Sequence, residues 1–276
     1  MIDAHQHFWK LDRGDYAWLN AEPEILQRDY LPADLMQHLG DTGVRQTILV
    51  QAAETQEETS YILSLAEVTD CIAGVVGWID FDAPDVMDHL TMRMRQPNFL
   101  GVRPVLQGIE DTDWILAEHR IEVLAQIALH GKTFDALIQP RHLPVIARLT
   151  ERLPDLKIVV DHGAKPDIAN QKIDDWKHDI ALLAQKRQVC CKLSGLVTEA
   201  RENWTRDELE PFMRHLLRCF GPDRLMWGSD WPVVNAASSY QQWHEIALDV
   251  CRSEMPMAVD AIFGGNAQRF YNVGAV

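Results

Sequence analysis

The chain has 276 residues, with 26 basic against 41 acidic side chains and a formal net charge of −15 when its 11 histidines are neutral. That charge excludes a basic nucleic-acid-binding protein, because such proteins need a positively charged surface. A hydrophobic share of 47% with only 15 glycines and 13 prolines excludes a disordered or fibrous chain.

The N-terminal segment MIDAHQHF lacks the basic and apolar regions of a secretory leader. No apolar run approaches the roughly 20 residues that a membrane-spanning helix requires. The cysteines are odd in number, and Cys190 and Cys191 are adjacent, which favours reduced thiols over disulfides. We therefore expect a cytoplasmic protein with a small-molecule substrate and with neither membrane nor nucleic-acid partners. Assembly into a homo-oligomer stays open.

Short apolar segments of strand length alternate along the chain with segments of helical spacing. The predicted strands are Met1–His7, Thr47–Ala53, Ile72–Asp80, Leu100–Leu106, Thr133–Gln139, Lys157–Asp161, Val189–Ser194 and Leu225–Ser229. Most are nearly continuous in apolar character, which is typical of parallel strands covered by helices on both faces. Two capping-box patterns, Thr55 with Glu58 and Thr205 with Glu208, indicate helix starts.

This order of elements and the total length predict an α/β fold, a single (β/α)₈ TIM barrel of residues 1–276. No repeat, low-complexity segment or flexible linker marks a domain boundary. The alternative is an open, doubly wound sheet, which shows a similar alternation of elements. A barrel would bring the C-terminal ends of all its strands to one mouth, where active sites of this fold lie.

Histidine and aspartate side chains occur at this end of three predicted strands. His5 and His7 end the first strand, His162 follows the sixth and Asp230 follows the eighth. Residues two apart on a strand point to the same side, so His5 and His7 face the interior together. Three neutral imidazoles and a carboxylate suit one divalent ion such as zinc. A lone histidine at a strand end is usually structural. Histidine and aspartate side chains at three strand ends around one mouth instead predict a catalytic or metal-binding site.

Several segments resemble the amidohydrolase superfamily, in particular its branch of sugar-lactone and dicarboxylic-lactone hydrolases. In chain order they are MIDAHQHFW, GVVGWID, LGVRPVLQ, DHGAKP, KLSGL, WGSDWPV and FGGNAQRFY. Their ordered combination is much more specific than the HxH pair alone. The resemblance implies an amidohydrolase-type barrel and a lactonase that hydrolyses an L-fucono-, L-rhamnono- or related aldonolactone in the degradation of sugar acids.

The resemblance also implies roles for the four residues. Asp230 is expected to activate water as a general base, while His5, His7 and His162 polarise the lactone carbonyl, directly or through a divalent ion. Superfamily members with two metal ions use a bridging lysine or glutamate and a further histidine, and the fifth strand, TFDALIQ, ends in neither lysine nor histidine. One ion, zinc, is therefore expected, although some relatives in this branch hydrolyse lactones without metal.

Five further residues near the strand ends are candidates for substrate binding: Trp9, Gln51, Trp78, Arg103 and Trp231. Indole rings pack against the apolar face of a sugar, and amide or guanidinium groups donate to its oxygens. A salt bridge at the barrel rim explains Arg103 equally well. The negative net charge favours a neutral sugar lactone over a dicarboxylated one.

Other functions fit the same pattern of residues. A dicarboxylic-lactone hydrolase or a metal-dependent decarboxylase would use the same histidines and aspartate on an acidic substrate. A non-catalytic barrel that binds a sugar acid would show binding without turnover.

Overall fold

The computed structural model describes residues 1–274. Eight parallel strands form one sheet in sequential order, each paired with the next along the chain. The strands are β1 (Ile2–Gln6), β2 (Gln46–Val50), β3 (Ile72–Gly77), β4 (Phe99–Val102), β5 (Thr133–Ala136), β6 (Lys157–Val160), β7 (Val189–Leu193) and β8 (Leu225–Trp227). Each overlaps one predicted strand and ends earlier than predicted. The predicted (β/α)₈ barrel is confirmed.

Helices connect successive strands around the outside of the barrel, and the last two of the described helices follow β8. They are α1 (Pro32–Thr42), α2 (Gln56–Val68), α3 (Val86–Met94), α4 (Glu118–Leu129), α5 (Leu143–Arg152), α6 (Asp174–Leu183), α7 (Arg206–Arg224), α8 (Tyr240–Glu254) and α9 (Asn266–Tyr271). Helical spacing predicts the first eight, whereas α9 is too short to show that spacing. None of the helices within residues 1–274 combines the length and apolar character that crossing a membrane requires.

The barrel closes between β1 and the segment that follows β8. The backbone N–H of Asp230 donates to the carbonyl of His5 at 2.8 Å, and that of His7 donates to the carbonyl of Trp231 at 2.7 Å. Gly228 permits this approach, because a Cβ atom there would lie 2.8 Å from the Cβ of His5. The alternative of an open sheet is therefore wrong. The closing hydrogen bonds join the two segments that carry His5, His7 and Asp230.

Two apolar cores follow from the alternation of side chains along the strands, which an irregularity between Asp3 and Gln6 interrupts in β1. The larger one lies between the sheet and the helices. The smaller one fills the barrel interior and includes Ile2, Ala4, Ile48, Val50, Val76, Leu100, Val159 and Met226. Phe270 and Tyr271 of α9 join this inner core. The same alternation places Asp135 of β5 and Lys192 of β7 on the inner side.

The start of α2 differs from the predicted capping box. The Thr55 hydroxyl accepts a hydrogen bond from the backbone N–H of Glu58 at 3.0 Å, as expected. The Glu58 carboxyl instead turns inward and accepts from the backbone N–H of Ala52 at 3.0 Å, so only half of the box forms. At the start of α7 the other half of the box forms: the backbone N–H of Thr205 donates to the Glu208 carboxylate at 2.7 Å, while the backbone N–H of Glu208 donates to the Thr205 carbonyl and not to its hydroxyl.

The burial of Glu58 gives a prediction about stability. Glu58 is fully buried, and burial raises the pKa of its carboxyl from 4.5 to about 8. The folded protein therefore keeps a proton that the unfolded chain releases, and folding becomes less favourable as the pH rises through this range. Glu58→Gln preserves the acceptor for Ala52 and cannot ionise. Between pH 5 and pH 8 we expect the free energy of unfolding to fall by about 1–3 kcal/mol more in the wild type than in this variant.

Urea titrations followed by circular dichroism at the two pH values measure this difference. Glu57→Gln, a change at the exposed neighbouring position, is the matched control and should behave as the wild type. If the free energy of unfolding falls equally in the wild type and in Glu58→Gln, Glu58 is ionised in the folded protein.

Candidate active site

The four residues predicted for catalysis and metal binding converge at the mouth of the barrel. His5 lies on β1 and His7 just beyond it, while His162 follows β6 and Asp230 follows β8. The Nε2 atoms of His5 and His7 are 3.1 Å apart. Asp230 Oδ1 lies 3.6, 3.4 and 3.9 Å from Nε2 of His5, His7 and His162, respectively. All four side chains are buried, so they form one compact cluster.

The backbone turns sharply directly after β6 and β8. His162 and Asp230 both adopt the left-handed conformation, with φ of 53° and 59°. This region is strained for residues with a side chain, and such strain persists where the surrounding structure enforces it. Here it directs the His162 imidazole and the Asp230 carboxylate towards each other.

Gly195, which follows β7, leaves room for the His162 ring. A Cβ atom at Gly195 would lie 2.4 Å from Nδ1 of His162 and 3.1 Å from Oδ2 of Asp230. On the same side, Nδ1 of His162 forms a hydrogen bond with the Ser194 hydroxyl at 2.9 Å. A small residue at position 195 is therefore a condition for the observed position of the imidazole.

At neutral pH the cluster holds a carboxylate beside the neutral imidazoles of His5 and His162. Burial, and then the charge of Lys192, lowers the pKa of His5 well below 6.5. Burial also lowers the pKa of His162 to about 4. Burial alone would raise the pKa of Asp230, but the surrounding imidazoles hold it below its usual range. Asp230 can therefore accept a proton, and each imidazole offers either an N–H group or a lone pair.

The spacing of the donor atoms fits one tetrahedral divalent ion. Atoms bound about 2.1 Å from such an ion lie about 3.4 Å from one another. The distances among Nε2 of His5, Nε2 of His7 and Oδ1 of Asp230 are 3.1, 3.4 and 3.6 Å. His7 is oriented as a ligand, because its Nδ1 donates to the carbonyl of Val50 at 2.8 Å. These three residues fit a metal ion, and His162 lies beside them.

A layer of buried charges lies beneath the cluster, and sequence reasoning does not identify it. The ammonium group of Lys192 lies 2.6 Å from Oδ2 of Asp135, 3.0 Å from Oδ1 of Asp161 and 3.2 Å from Nδ1 of His5. Tyr271 of α9 donates to Oδ2 of Asp135 at 2.6 Å. The signals available in the sequence were the position of Lys192 in KLSGL and the inward side of Asp135 on its strand.

Two predicted substrate-binding residues, Gln51 and Arg103, line the cavity above the cluster and also bind each other. The guanidinium group of Arg103 donates to Oδ2 of Asp161 at 3.3 Å and to Oε1 of Gln51 at 3.3 Å. The amide of Gln51 donates to the carbonyl of Arg103 at 2.8 Å. Arg103 is thus part of a buried ion pair, which agrees with the structural explanation of this residue.

The cavity has a volume of about 490 Å³, and its wall includes His7, His162 and Asp230. The indole on this wall is Trp18, whose Nε1 donates to the carbonyl of Ala52 at 2.8 Å. Trp18 lies in the long segment between β1 and α1, at the catalytic end of the barrel. The position of Trp18 in this segment could have identified it as a residue of the cavity wall.

The three indoles predicted to bind substrate lie elsewhere. Trp9 and Trp231 are 0% and 1% exposed, and each packs edge-on against Tyr30 in the core beside the site. Among residues 1–274, the cavity wall does not include Trp78 either. Closeness in sequence to the cluster therefore does not put a side chain on the cavity wall. Trp231, for example, points away from the cavity that its neighbour Asp230 faces.

Comparison with known proteins places the chain among proteins of similar length and fold. A family model described as amidohydrolase matches residues 2–273. The L-fucono-1,5-lactonase of Burkholderia ambifaria is 40% identical over 99% of this chain and 95% of the relative. The L-fucono-1,5-lactonase of Burkholderia multivorans is 34% identical over 98% of this chain and 95% of the relative. The crystal structure of an amidohydrolase from Burkholderia multivorans with bound zinc matches with a TM-score of 0.94 at 34% identity, covering 99% of each chain.

The contact between Gly195 and His162 predicts the effect of one methyl group. Gly195→Ala should displace the His162 ring and lower turnover of an aldonolactone by about 100-fold, since small displacements in an active site have effects of this size. Gly108→Ala is the control, because a Cβ atom there would meet nothing within 4 Å. Acid release measures turnover, and circular dichroism verifies folding. Normal turnover in Gly195→Ala would mean that the position of this ring does not matter.

Proposed function

The chain belongs to the amidohydrolase family, and on that basis we propose that it hydrolyses a neutral sugar-acid lactone, such as an L-fucono-1,5-lactone, to the aldonic acid. The observation that carries the proposal is the Asp230 carboxylate held among three imidazoles on the wall of a cavity large enough for a sugar. The named functions of the two curated relatives support the lactonase predicted from the sequence.

Hydrolysis of a lactone needs an activated water, a polarised carbonyl and a proton for the leaving ring oxygen. In our proposal Asp230 takes a proton from water, and the water oxygen bonds to the carbonyl carbon. The bond from that carbon to the ring oxygen then breaks. Asp230 returns the proton to the departing alkoxide, which becomes the hydroxyl group of the open-chain acid.

The imidazoles face the region where charge develops on the carbonyl oxygen. His162 and His7 line the cavity, and His5 lies directly behind them. The N–H groups of His162 and His5 would stabilise the developing negative charge. His7 does not contribute an N–H group there, because its Nδ1 donates to the carbonyl of Val50. A zinc ion, which we propose for this site, would be held by His5, His7 and Asp230 and would polarise the carbonyl and acidify water.

The charges around the cavity favour a neutral substrate. Besides Asp230, three acidic side chains lie on its wall: Glu22, Glu54 and Asp15, of which Asp15 pairs with Arg13 at 2.7 Å. The two basic residues of the wall already have acidic partners, Arg103 with Asp161 at 3.3 Å and Lys165 with Glu199 at 3.1 Å. A dicarboxylated lactone would therefore meet repulsion, whereas the hydroxyl groups of a sugar can donate to these carboxylates.

Replacement of the proposed base tests the mechanism. Asp230→Asn preserves the shape of the side chain and removes its ability to take a proton, so we expect kcat to fall by about 1,000-fold with KM little changed. Asp207→Asn, an equivalent change at an exposed position, should leave kcat unchanged. Stopped-flow measurement of acid release gives both constants. Near-normal kcat in a folded Asp230→Asn protein would eliminate this residue as the base.

A panel of lactones tests the substrate class. Acid release would be followed from L-fucono-, L-rhamnono-, L-galactono- and D-arabinonolactone, with a dicarboxylated lactone for contrast. We expect at least one neutral lactone to react about 100-fold faster than the dicarboxylated one, because only the latter meets the acidic wall. The opposite preference, or no hydrolysis above the buffer rate, would contradict the proposed function.

The same acid-release assay tests whether hydrolysis requires the zinc ion. Chelation should lower turnover, and zinc should restore it. Turnover unchanged by chelation would remove the ion from the proposal and leave hydrolysis by the four side chains alone.

A further inference from the structure

The backbone partner of His7 determines which of its nitrogens carries the proton. Nδ1 of His7 lies 2.8 Å from the carbonyl oxygen of Val50, which can only accept, so Nδ1 is the protonated nitrogen. In the neutral ring, Nε2 of His7 then carries a lone pair, and it faces Nε2 of His5 at 3.1 Å. Two lone pairs at this distance would repel each other. Without an ion between the rings, Nε2 of His5 must therefore carry a proton.

The other nitrogen of His5 supports the same assignment. Nδ1 of His5 lies 3.2 Å from the ammonium group of Lys192. Lys192 is fully buried, and the carboxylates of Asp135 and Asp161, 2.6 and 3.0 Å away, balance its charge. Because an ammonium group only donates, it requires a lone pair on Nδ1 of His5. Arg103 is 3.5 Å from Nε2 of His5 but nearer to Asp161, at 3.3 Å.

We propose that Lys192 is a positioning residue that holds His5 as an Nε2–H donor in the ion-free protein. In this tautomer His5 donates a hydrogen bond towards the site. A metal ligand must present a lone pair at the same atom, so an ion on Nε2 requires the opposite tautomer. The part of this proposal that concerns the ion rests on the proposed function, because the ion is placed there on His5, His7 and Asp230.

Asp161 provides the acceptor that the opposite tautomer needs. Its Oδ1 lies 3.5 Å from Nδ1 of His5 and 3.0 Å from the ammonium group of Lys192. With the proton on Nδ1, His5 would donate to this oxygen, as carboxylates commonly hold metal-binding histidines. The exchange releases one proton from Nε2 and takes one up at Nδ1, so the net charge of His5 is unchanged. Lys192 and Asp161 thus compete for one nitrogen, and this competition sets the affinity for the ion.

The decisive variant removes the ammonium group without leaving a buried charge unpaired. Lys192→Met combined with Asp135→Asn removes one positive and one negative group together. Tyr271, which donates to Asp135 at 2.6 Å, keeps an acceptor in the amide oxygen of Asn. Metal-free protein with ¹⁵N-labelled histidine would be examined by NMR, and the His5 signals assigned by their absence in His5→Gln. We expect Nδ1 of His5 to be unprotonated in the wild type and protonated in the double variant.

Zinc affinity gives a second readout, measured by competition with a chelating dye. Loss of the charge-assisted hydrogen bond from Lys192 should tighten zinc binding in the double variant by about tenfold or more. A merely structural role would have the opposite effect, because a loosened site binds the ion less tightly. Tyr271→Phe, which removes a different contact of the same cluster, should keep both the wild-type tautomer and the wild-type affinity. Asp135→Asn alone retains Lys192 and should keep the wild-type tautomer.

Three results would overturn the proposal. They are a protonated Nδ1 of His5 in the metal-free wild type, a wild-type tautomer in the double variant, and weaker zinc binding by a double variant that circular dichroism shows to be folded. The wild-type spectrum decides the tautomer even if the double variant does not fold. Because it needs neither substrate nor ion, this measurement stands separately from the lactone panel, whose failure would count against the proposed function alone.

Discussion

The buried ammonium group of Lys192 is the interaction on which the site depends. Two carboxylates, Asp135 and Asp161, occupy the barrel interior, where charges without partners are costly. Lys192 contacts both, and α9 contributes Tyr271 to the same cluster from the opposite end of the barrel. Removal of one partner from such a buried set costs about 3–5 kcal/mol. The same ammonium group reaches His5, so the charges that allow a polar barrel interior also orient the first histidine of the site.

The seam of the barrel explains why the remaining groups are so close together. Closure pairs the end of β1 with the segment after β8 through backbone hydrogen bonds, so His5, His7 and Asp230 are held by one rigid network. Gly228 allows the two segments to touch, and strained left-handed backbone at Asp230 turns its carboxylate over the imidazoles. Strain of this kind is tolerated where surrounding hydrogen bonds determine the conformation. The position of the carboxylate is therefore a consequence of how the fold closes.

Most of the fold and the four central residues could be predicted from local patterns. Apolar runs and helical spacing depend on near neighbours in the chain, and the barrel rule places polar residues after strands at one mouth. Side-chain direction was harder to predict beyond the strand ends. Trp9 and Trp231 adjoin the site in sequence but lie in the core, whereas Trp18, from a segment without periodicity, reaches the cavity. Glu58 has the spacing of a capping residue and instead binds Ala52 across the loop.

The amino-acid sequence was sufficient for the order of elements, the barrel and the convergence of His5, His7, His162 and Asp230, because each follows from short-range periodicity and from strand direction. The pairing of Lys192 with Asp135, Asp161 and His5 required the tertiary structure. These groups come from β7, β5, the end of β6 and β1, and which of them touch depends on the tilt and stagger of the strands around the ring. Which nitrogen of His5 carries the proton also depends on the tertiary structure, because the partners of His5 are distant in the chain and become adjacent only inside the closed barrel.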